Sequence, residues 1–504
     1  MKDRLAELKQ HLHEIYDLRA VSYLLGWDQS TYMPPGGAPA RARQMALLEG
    51  LAHERLTDPR LGRLLEDLRP YEENLPYESD DASLIRVTRR DYERAVRVPA
   101  SFMAEASGHF ARTYQAWMEA RPANNFEAVR PYLEKSLDLS RRYAEFLPQG
   151  EHIADPLIAE HDYGMTAASI RALFAELRAQ LVPLVEAVAS QEPADDSCLR
   201  QHFPEAQQWD FGLEVIRRLG YDFARGRQDK SPHPFTTGFS IGDVRITVRV
   251  QERDLSEALF GSMHEGGHAM YEQGVDAGLE GTPLAEGTSA GVHESQSRLW
   301  ENVVGRGRPF WTFFYPRLQA LFPDQLGNVS LDTFYRAINK VERSLIRTEA
   351  DELTYNLHVM LRFELELEML EGKLAVRDLP EVWRERFRAD LGIAPSDDRD
   401  GVLQDLHWYW GFVGGAFQGY TLGNILSALF FEAALRDHPT ILEEGEQGEF
   451  ATLLGWLQEK IYRHGRKFTA DDLVERITGG PLRIDPYMRY LRDKYGALYE
   501  LGAV

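Results

Sequence analysis

Apolar side chains return at intervals of three and four along most of this chain. The segments DRLAELKQHLHEIYDLRAV (3–21), SIRALFAELRAQLVPLVEAV (169–188), LIRTEADELTYNLHVMLRFELELEML (345–370) and FATLLGWLQEKIYRHG (450–465) all carry that spacing, which gathers their apolar residues on one helical face. Short punctuations rich in Pro, Gly and Asp separate such stretches, among them YMPPGGAP (32–39) and APSDDRDG (394–401). The pattern predicts a mainly α protein, one large helical unit over 1–504. A soft division at EPADDS (192–197) marks off an N-terminal part, 1–200, from a part comprising 201–504. No internal repeat, low-complexity tract or long flexible linker interrupts the pattern.

One segment switches period. In FTTGFSIGDVRITVRV (235–250), Val244, Ile246, Val248 and Val250 alternate with Arg245, Thr247 and Arg249, which predicts a small hairpin with one apolar and one polar face turning at Gly242-Asp243. Such a hairpin either covers the core or offers an edge strand to an extended peptide.

The next helix follows at once. Asp254 is placed to cap it, with Glu257 three residues on as in a capping box, and Gln273-Gly274 is placed to end it. That helix carries HEGGH, residues 264–268. His264 and His268 lie one turn apart on one face, so two imidazoles can grip one metal ion. Glu265, beside the first of them, can reach an activated water and act as general base, the HExxH arrangement. The pentapeptide also arises by chance in chains of this composition, so its surroundings decide. Gly266 and Gly267 each cost about 1 kcal/mol relative to Ala inside a helix, which predicts close approach of another element or of substrate. A catalytic zinc takes three protein ligands and leaves one position open. In EGTSAGVHESQSRLWENVVGR (286–306), Thr288 or Ser289 can cap a second helix holding Glu294, which fits a His2Glu set. Glu272, Glu280, Glu286 and Glu301 are also near, and spacing alone leaves the choice open.

Composition narrows the function classes. The formal net charge of -22 over 504 residues argues against nucleic acid, whose phosphates want a basic surface. A single cysteine, Cys198, excludes a disulfide framework or a thiolate cluster and suits a reducing cytoplasm. The N-terminal helix is charged and has no apolar signal core. Residues 408–431 contain no charged side chain, and Gly411, Gly415, Gly419 and Gly423 recur every fourth position, as in packed membrane helices. Gln418, Thr421, Asn424 and the lack of Lys or Arg anchors point instead to a buried segment where backbones approach closely. The expectation is a cytoplasmic protein without a membrane partner.

Separated motifs make the picture more specific. HPF (233–235), DVRIT (243–247), HEGGH, HESQ (293–296) and GVLQDLHW (401–408) occur in that order, with IRTEAD (346–351) between the last two. Together they resemble the thermostable-carboxypeptidase-type metallocarboxypeptidases, the M32 peptidases. IRTEAD departs slightly, with Thr348 where that family usually has Ser. The resemblance implies His264, His268 and Glu294 as metal ligands and Glu265 as base. It also implies a helical metallopeptidase fold with a long, deep groove lined on one side by N-terminal helices, and commonly a homodimer. The implied reaction is zinc-dependent removal of single C-terminal residues from peptides, with broad specificity. Cobalt or another divalent ion also suits such ligands.

An exopeptidase of this kind must read a free carboxylate, for which a planar guanidinium is suited. Arg347 in IRTEAD is the first candidate and matches the arginine to which the family gives this role. Arg336, eleven residues earlier on what reads as the same helix, is the second, and Arg245 on the hairpin a third. Tyr420 and His407 are candidate donors to the developing oxyanion, with Tyr409 as a rival to Tyr420 and with Gln404 or Asp405 orienting neighbours. His233 and His293 read as structural or supporting residues. Rival readings are an endo-acting oligopeptidase on the same scaffold and a helical binding protein that keeps a metal site; an intact Glu265 argues against the second.

Overall fold

The N-terminal helix shows how the apolar spacing becomes structure. It runs Lys2–Thr31 and buries Leu5, Leu8, Leu12, Ile15 and Trp27 on one face. Its first four buried residues meet leucines from helices Pro59–Glu72 and Asp80–Arg97. Ile241, Val275, Leu279 and Leu284 complete this small core from far along the chain. Most buried side chains from Val98 onward form a second, much larger core. The computed structural model describes residues 1–148 and 150–502 and is mainly helical, with one three-stranded sheet.

The hairpin forms where expected. Strands β1 (Gln228–Lys230), β2 (Thr236–Ser240) and β3 (Asp243–Val248) lie in the order β1-β3-β2. β2 and β3 are antiparallel, with Thr236 opposite Ile246 and Gly238 opposite Val244, and an irregularity before Ser240. β1 adds parallel to the other side of β3. The alternating strand is therefore central, and β2 is an edge. Three polar residues, Gln-Asp-Lys, gave β1 no periodicity to be seen by.

The helix bearing HEGGH, hereafter the histidine helix, spans Leu255–Gln273. Asp254 caps it by accepting from the Ser256 N–H at 2.9 Å. Glu257 does not complete a capping box; it pairs with Arg249 of the strand end. The glutamate helix, Ala290–Arg298, is capped by Ser289 and continues into a π-helical turn, Leu299–Val304. A third helix, Gln418–Asp437, carries the second half of the charge-free stretch. The glutamate helix is pressed between the other two. A Cβ on Gly267 would fall 2.6 Å from the Gln296 carbonyl oxygen and 2.7 Å from Ser297 Cα; a Cβ on Gly423 would fall 2.5 Å from Glu294 Cγ. The glycines therefore let backbones approach, as the sequence suggested. Among the described residues no helix is long and apolar enough to cross a membrane.

One expected helix is shorter than its pattern. Of residues 345–370, only Tyr355–Leu370 is α-helical, preceded by a single 3-10 turn at Arg347–Glu349. Side chains there take over the backbone's hydrogen bonds. The Asp351 carboxylate accepts from the N–H groups of Glu342, Leu353 and Thr354 at 2.9 to 3.0 Å. Gln404 accepts from the Arg347 N–H at 2.9 Å and donates to the Leu345 carbonyl at 3.0 Å. Arg336 lies instead on a separate helix, Leu331–Ile338, so the expected shared helical face with Arg347 does not exist.

Gly267→Ala and Gly423→Ala should each destabilise the protein by about 1–3 kcal/mol through overpacking. Gly455→Ala, in helix Ala451–Lys460 with nothing within 4 Å of the added carbon, should be neutral or stabilise by up to about 1 kcal/mol. Denaturant unfolding of the metal-free variants measures all three.

Candidate metal centre

Helical spacing brings His264 and His268 side by side, their rings 4.9 Å apart and nearly perpendicular. The clamped glutamate helix brings Glu294 to face them. Its Oε2 lies 3.8 Å from His264 Nε2 and 3.5 Å from His268 Nε2. One ligand atom from each of the three side chains falls within 4.8 Å of the others. Two imidazole nitrogens and one carboxylate oxygen, converging with one side open, are the donor set of a catalytic divalent-metal site.

Each ligand is oriented from behind. Glu301 Oε2 sits 2.9 Å from His264 Nδ1. His268 Nδ1 lies 2.6 Å from His293 Nδ1, and His293 Nε2 lies 2.6 Å from Glu272 Oε1. With His268 Nε2 facing the ligand cluster, its Nδ1–H donates to His293, whose own proton then sits on Nε2 and donates to Glu272. Arg298 fixes the acidic side, giving Nε to Glu294 Oε1 at 2.7 Å and Nη1 to Glu301 at 3.1 Å. Burial pushes the Glu294 carboxyl up, but the Arg298 guanidinium and both imidazoles outweigh that and hold it far below the usual carboxylate range. Burial pulls the His268 imidazole down to about 3, despite its bond to Glu294, so it presents a lone pair.

Glu265 is buried beside the ligands. The Thr236 hydroxyl of β2 lies 2.7 Å from its Oε2 and 3.0 Å from its backbone carbonyl. Burial raises its pKa, with partial relief from His264 and Thr236. A carboxylate with raised proton affinity, held by one oxygen, suits a general base.

Two cavities meet at this cluster. One, of about 660 Å³, is lined by the N-terminal helix at Ile15, Tyr16 and Arg19, by β2, and by His268 and His293. The other, of about 1390 Å³, holds Arg347, Asp405 and His407. His264, Glu265 and Tyr420 line both. Arg347 is buried and gives Nε and Nη2 to Asp405 at 3.1 and 2.8 Å and Nη1 to the Tyr355 hydroxyl at 2.9 Å. The Tyr420 hydroxyl is 3.1 Å from His407 Nε2. Burial raises the tyrosine's pKa and lowers the histidine's, so both are neutral and the hydroxyl keeps a proton to donate.

The structure thus brings together His264, Glu265, His268, Glu294, Tyr420, His407 and Arg347. It does not bring Arg245 or Arg336 to either cavity. Arg245 pairs with Asp243 at 2.8 Å and stacks 4.4 Å over the Trp27 ring. Arg336 donates to the Leu498 carbonyl at 2.7 Å. Tyr409 is buried against Trp117 and lines neither cavity. His233 is exposed at the rim of the larger cavity, whereas His293 supports a ligand. Glu301 and Glu272, weighed in the sequence as ligands, instead support the histidines. Glu272, four residues past His268, had a helical spacing that pointed this way. Thr236 and Tyr355 carried no such signal.

Residues 7–495 match the family model of the carboxypeptidase Taq (M32) metallopeptidases. The chain is 42% identical over 493 residues to thermostable carboxypeptidase 1 of Thermus thermophilus, covering 96% of each chain. It is 36% identical to carboxypeptidase 1 of Bacillus subtilis, over 98% of this chain and 100% of that one. The crystal structure of an M32 carboxypeptidase from Deinococcus radiodurans superposes with a TM-score of 0.96 at 51% identity, covering 99% of this chain and 100% of the other.

Glu301→Gln and Glu272→Gln should each weaken metal binding about 10- to 100-fold, by loosening one histidine's orientation. Competition with a chromophoric chelator reads the affinity directly.

Proposed function

The chain belongs to the carboxypeptidase Taq (M32) metallopeptidase family, and on that footing we propose that it is a zinc carboxypeptidase that removes single C-terminal residues from peptides with broad specificity. The observation that carries the reading is the position of the His264–His268–Glu294 cluster between two cavities, with a buried arginine on one side only. A peptide's terminal carboxylate belongs on the Arg347 side. The chain upstream of the cleaved bond then runs through the smaller cavity, along the edge strand β2, whose free main-chain groups suit pairing with an extended backbone.

His264, His268 and Glu294 would hold a divalent ion, which would supply Lewis acidity to the scissile carbonyl and to the attacking water. Zinc fits two imidazoles and a carboxylate, and cobalt fits them as well. The other steps fall to side chains. Thr236 occupies Glu265 Oε2, which leaves Oε1 to take the water's proton and return it to the leaving amine. The Tyr420 hydroxyl, at the junction of both cavities, donates to the oxygen on which negative charge develops. Asp405 holds Arg347 in place. The volume and mixed lining of the larger cavity suit terminal side chains of many kinds.

Glu265→Gln should lower kcat by about 10²- to 10⁴-fold while metal content stays near one ion per chain. Arg347→Lys should raise KM for a peptide with a free C-terminus. An amidated copy of that peptide should be cleaved slowly at its last bond; rapid cleavage there would favour an endopeptidase. Activity should vanish in excess chelator and return on adding zinc.

A further inference from the structure

Behind Arg347 lies a polar cluster of which the reaction above uses only Asp405. Asp405 is shared by two arginines, receiving Nε and Nη2 from Arg347 and Nε from Arg362. Arg362 is fully buried in helix Tyr355–Leu370; its Nη1 donates to the His358 carbonyl at 2.7 Å, and its Nη2 has no partner. One turn along the same helix is Glu366, 1% exposed. Its Oε1 accepts from Trp408 Nε1 at 2.8 Å, and the Gly414 N–H lies beside the carboxyl. No ion pair joins Glu366 to Arg362 within 4.0 Å among the described residues, although the i,i+4 spacing would allow one.

We propose that Glu366 is held as an uncharged carboxylic acid, so that two guanidiniums against one carboxylate leave one positive charge in excess, and that this excess positions a substrate carboxylate on Arg347. The inference rests on the carboxypeptidase reading given above. Glu366 lines neither cavity, so it acts through Arg362 and Arg347 and is a positioning residue. An ionised Glu366 would cancel the excess charge and weaken the pull on an anion in a site of low dielectric.

The surroundings agree. Burial pushes the Glu366 carboxyl up to about 8, with the Trp408 N–H, the Gly414 N–H and Arg362 opposing and Asp405 adding to it. From the segment 401–417 the polar groups nearby are Asp405, His407 and the Tyr409 hydroxyl. Burial lowers the His407 pKa and raises that of Tyr409, so both are neutral. On the same helix, burial and the two arginines keep His358 neutral as well. The charged groups of the packing helices are engaged elsewhere. Arg141 donates to the carbonyls of Met369 and Leu370, Arg178 pairs with Glu364, and Arg386 pairs with Glu368. Below about pH 8 the acid is neutral and the excess positive charge persists; above it the acid ionises and carboxylate affinity falls.

The test is steady-state kinetics of the zinc-loaded enzyme on an amino-blocked tripeptide with a free carboxylate, from about pH 6.5 to about pH 9.5. Wild type should show KM rising roughly tenfold across pH 8, over and above any change in kcat. Glu366→Gln keeps the acceptor for Trp408 and cannot ionise; its KM should stay flat. Glu366→Met, also neutral, should behave likewise and covers the case in which the amide folds poorly. In infrared spectra at pH 7, wild type should show a protonated-carboxyl stretch that Glu366→Gln lacks. A wild-type KM that stays flat through pH 9.5, or a rise that both variants share, overturns the proposal. Arg347→Lys at pH 7 separates the two levels: an unchanged KM there sinks the carboxylate-reading role itself, whereas a raised KM there, with Glu366 variants whose KM rises across pH 8 as wild type's does, sinks only the part given to Glu366.

Discussion

The close approach of the glutamate helix to its two neighbours is the constraint on which the metal site depends. His264 and His268 are adjacent through helix geometry alone. Glu294 can meet them only if its backbone comes within van der Waals contact of the histidine helix. Gly267 removes the side chain that would prevent this on one side, and Gly423 does the same on the other. The helix interior loses about 1 kcal/mol of propensity at such a glycine. In return, the ligand spacing is fixed by packed backbone rather than by mobile side chains, which favours preorganisation.

Packing so many charges out of water demands compensation. Each buried carboxylate of the site has a cation or donor assigned to it. Arg298 serves Glu294 and Glu301, His293 serves Glu272, and Thr236 serves Glu265. Removing one partner of such a set leaves an uncompensated buried charge, and that costs more than the pair contributes. The opposite end of the larger cavity is built differently. There two guanidiniums, those of Arg347 and Arg362, share the single carboxylate of Asp405.

Much of this was legible in the sequence, for identifiable reasons. A repeat of three and four marks a helix whatever it packs on, so most helices appeared at once. The histidine pair was legible because its two members share one turn. Glu294 was not separable from Glu272 or Glu301 by spacing, since all three lie on helices near the pair; the motif resemblance singled it out. Arg347 with Asp405 joins positions 58 apart, and no local pattern records that. The helix over 345–354 failed because Asp351 and Gln404 offer the backbone better partners than a helix does there. Arg336 was carried along by that error. Arg245 was a candidate on the hairpin, but it pairs with Asp243, stacks on Trp27 and lines neither cavity.

The small core beneath the N-terminal helix has a consequence for how the chain is made. Helices within residues 2–97 leave the ribosome first, yet their apolar faces also require Ile241, Val275, Leu279 and Leu284. Nearly two hundred residues must be synthesised before those partners exist. During that interval the nascent leucine faces stay partly open to solvent, and contacts this distant in sequence form slowly. The helices of this small core are thus translated well before all their packing partners, which exist only once the histidine helix and the loop after it have emerged.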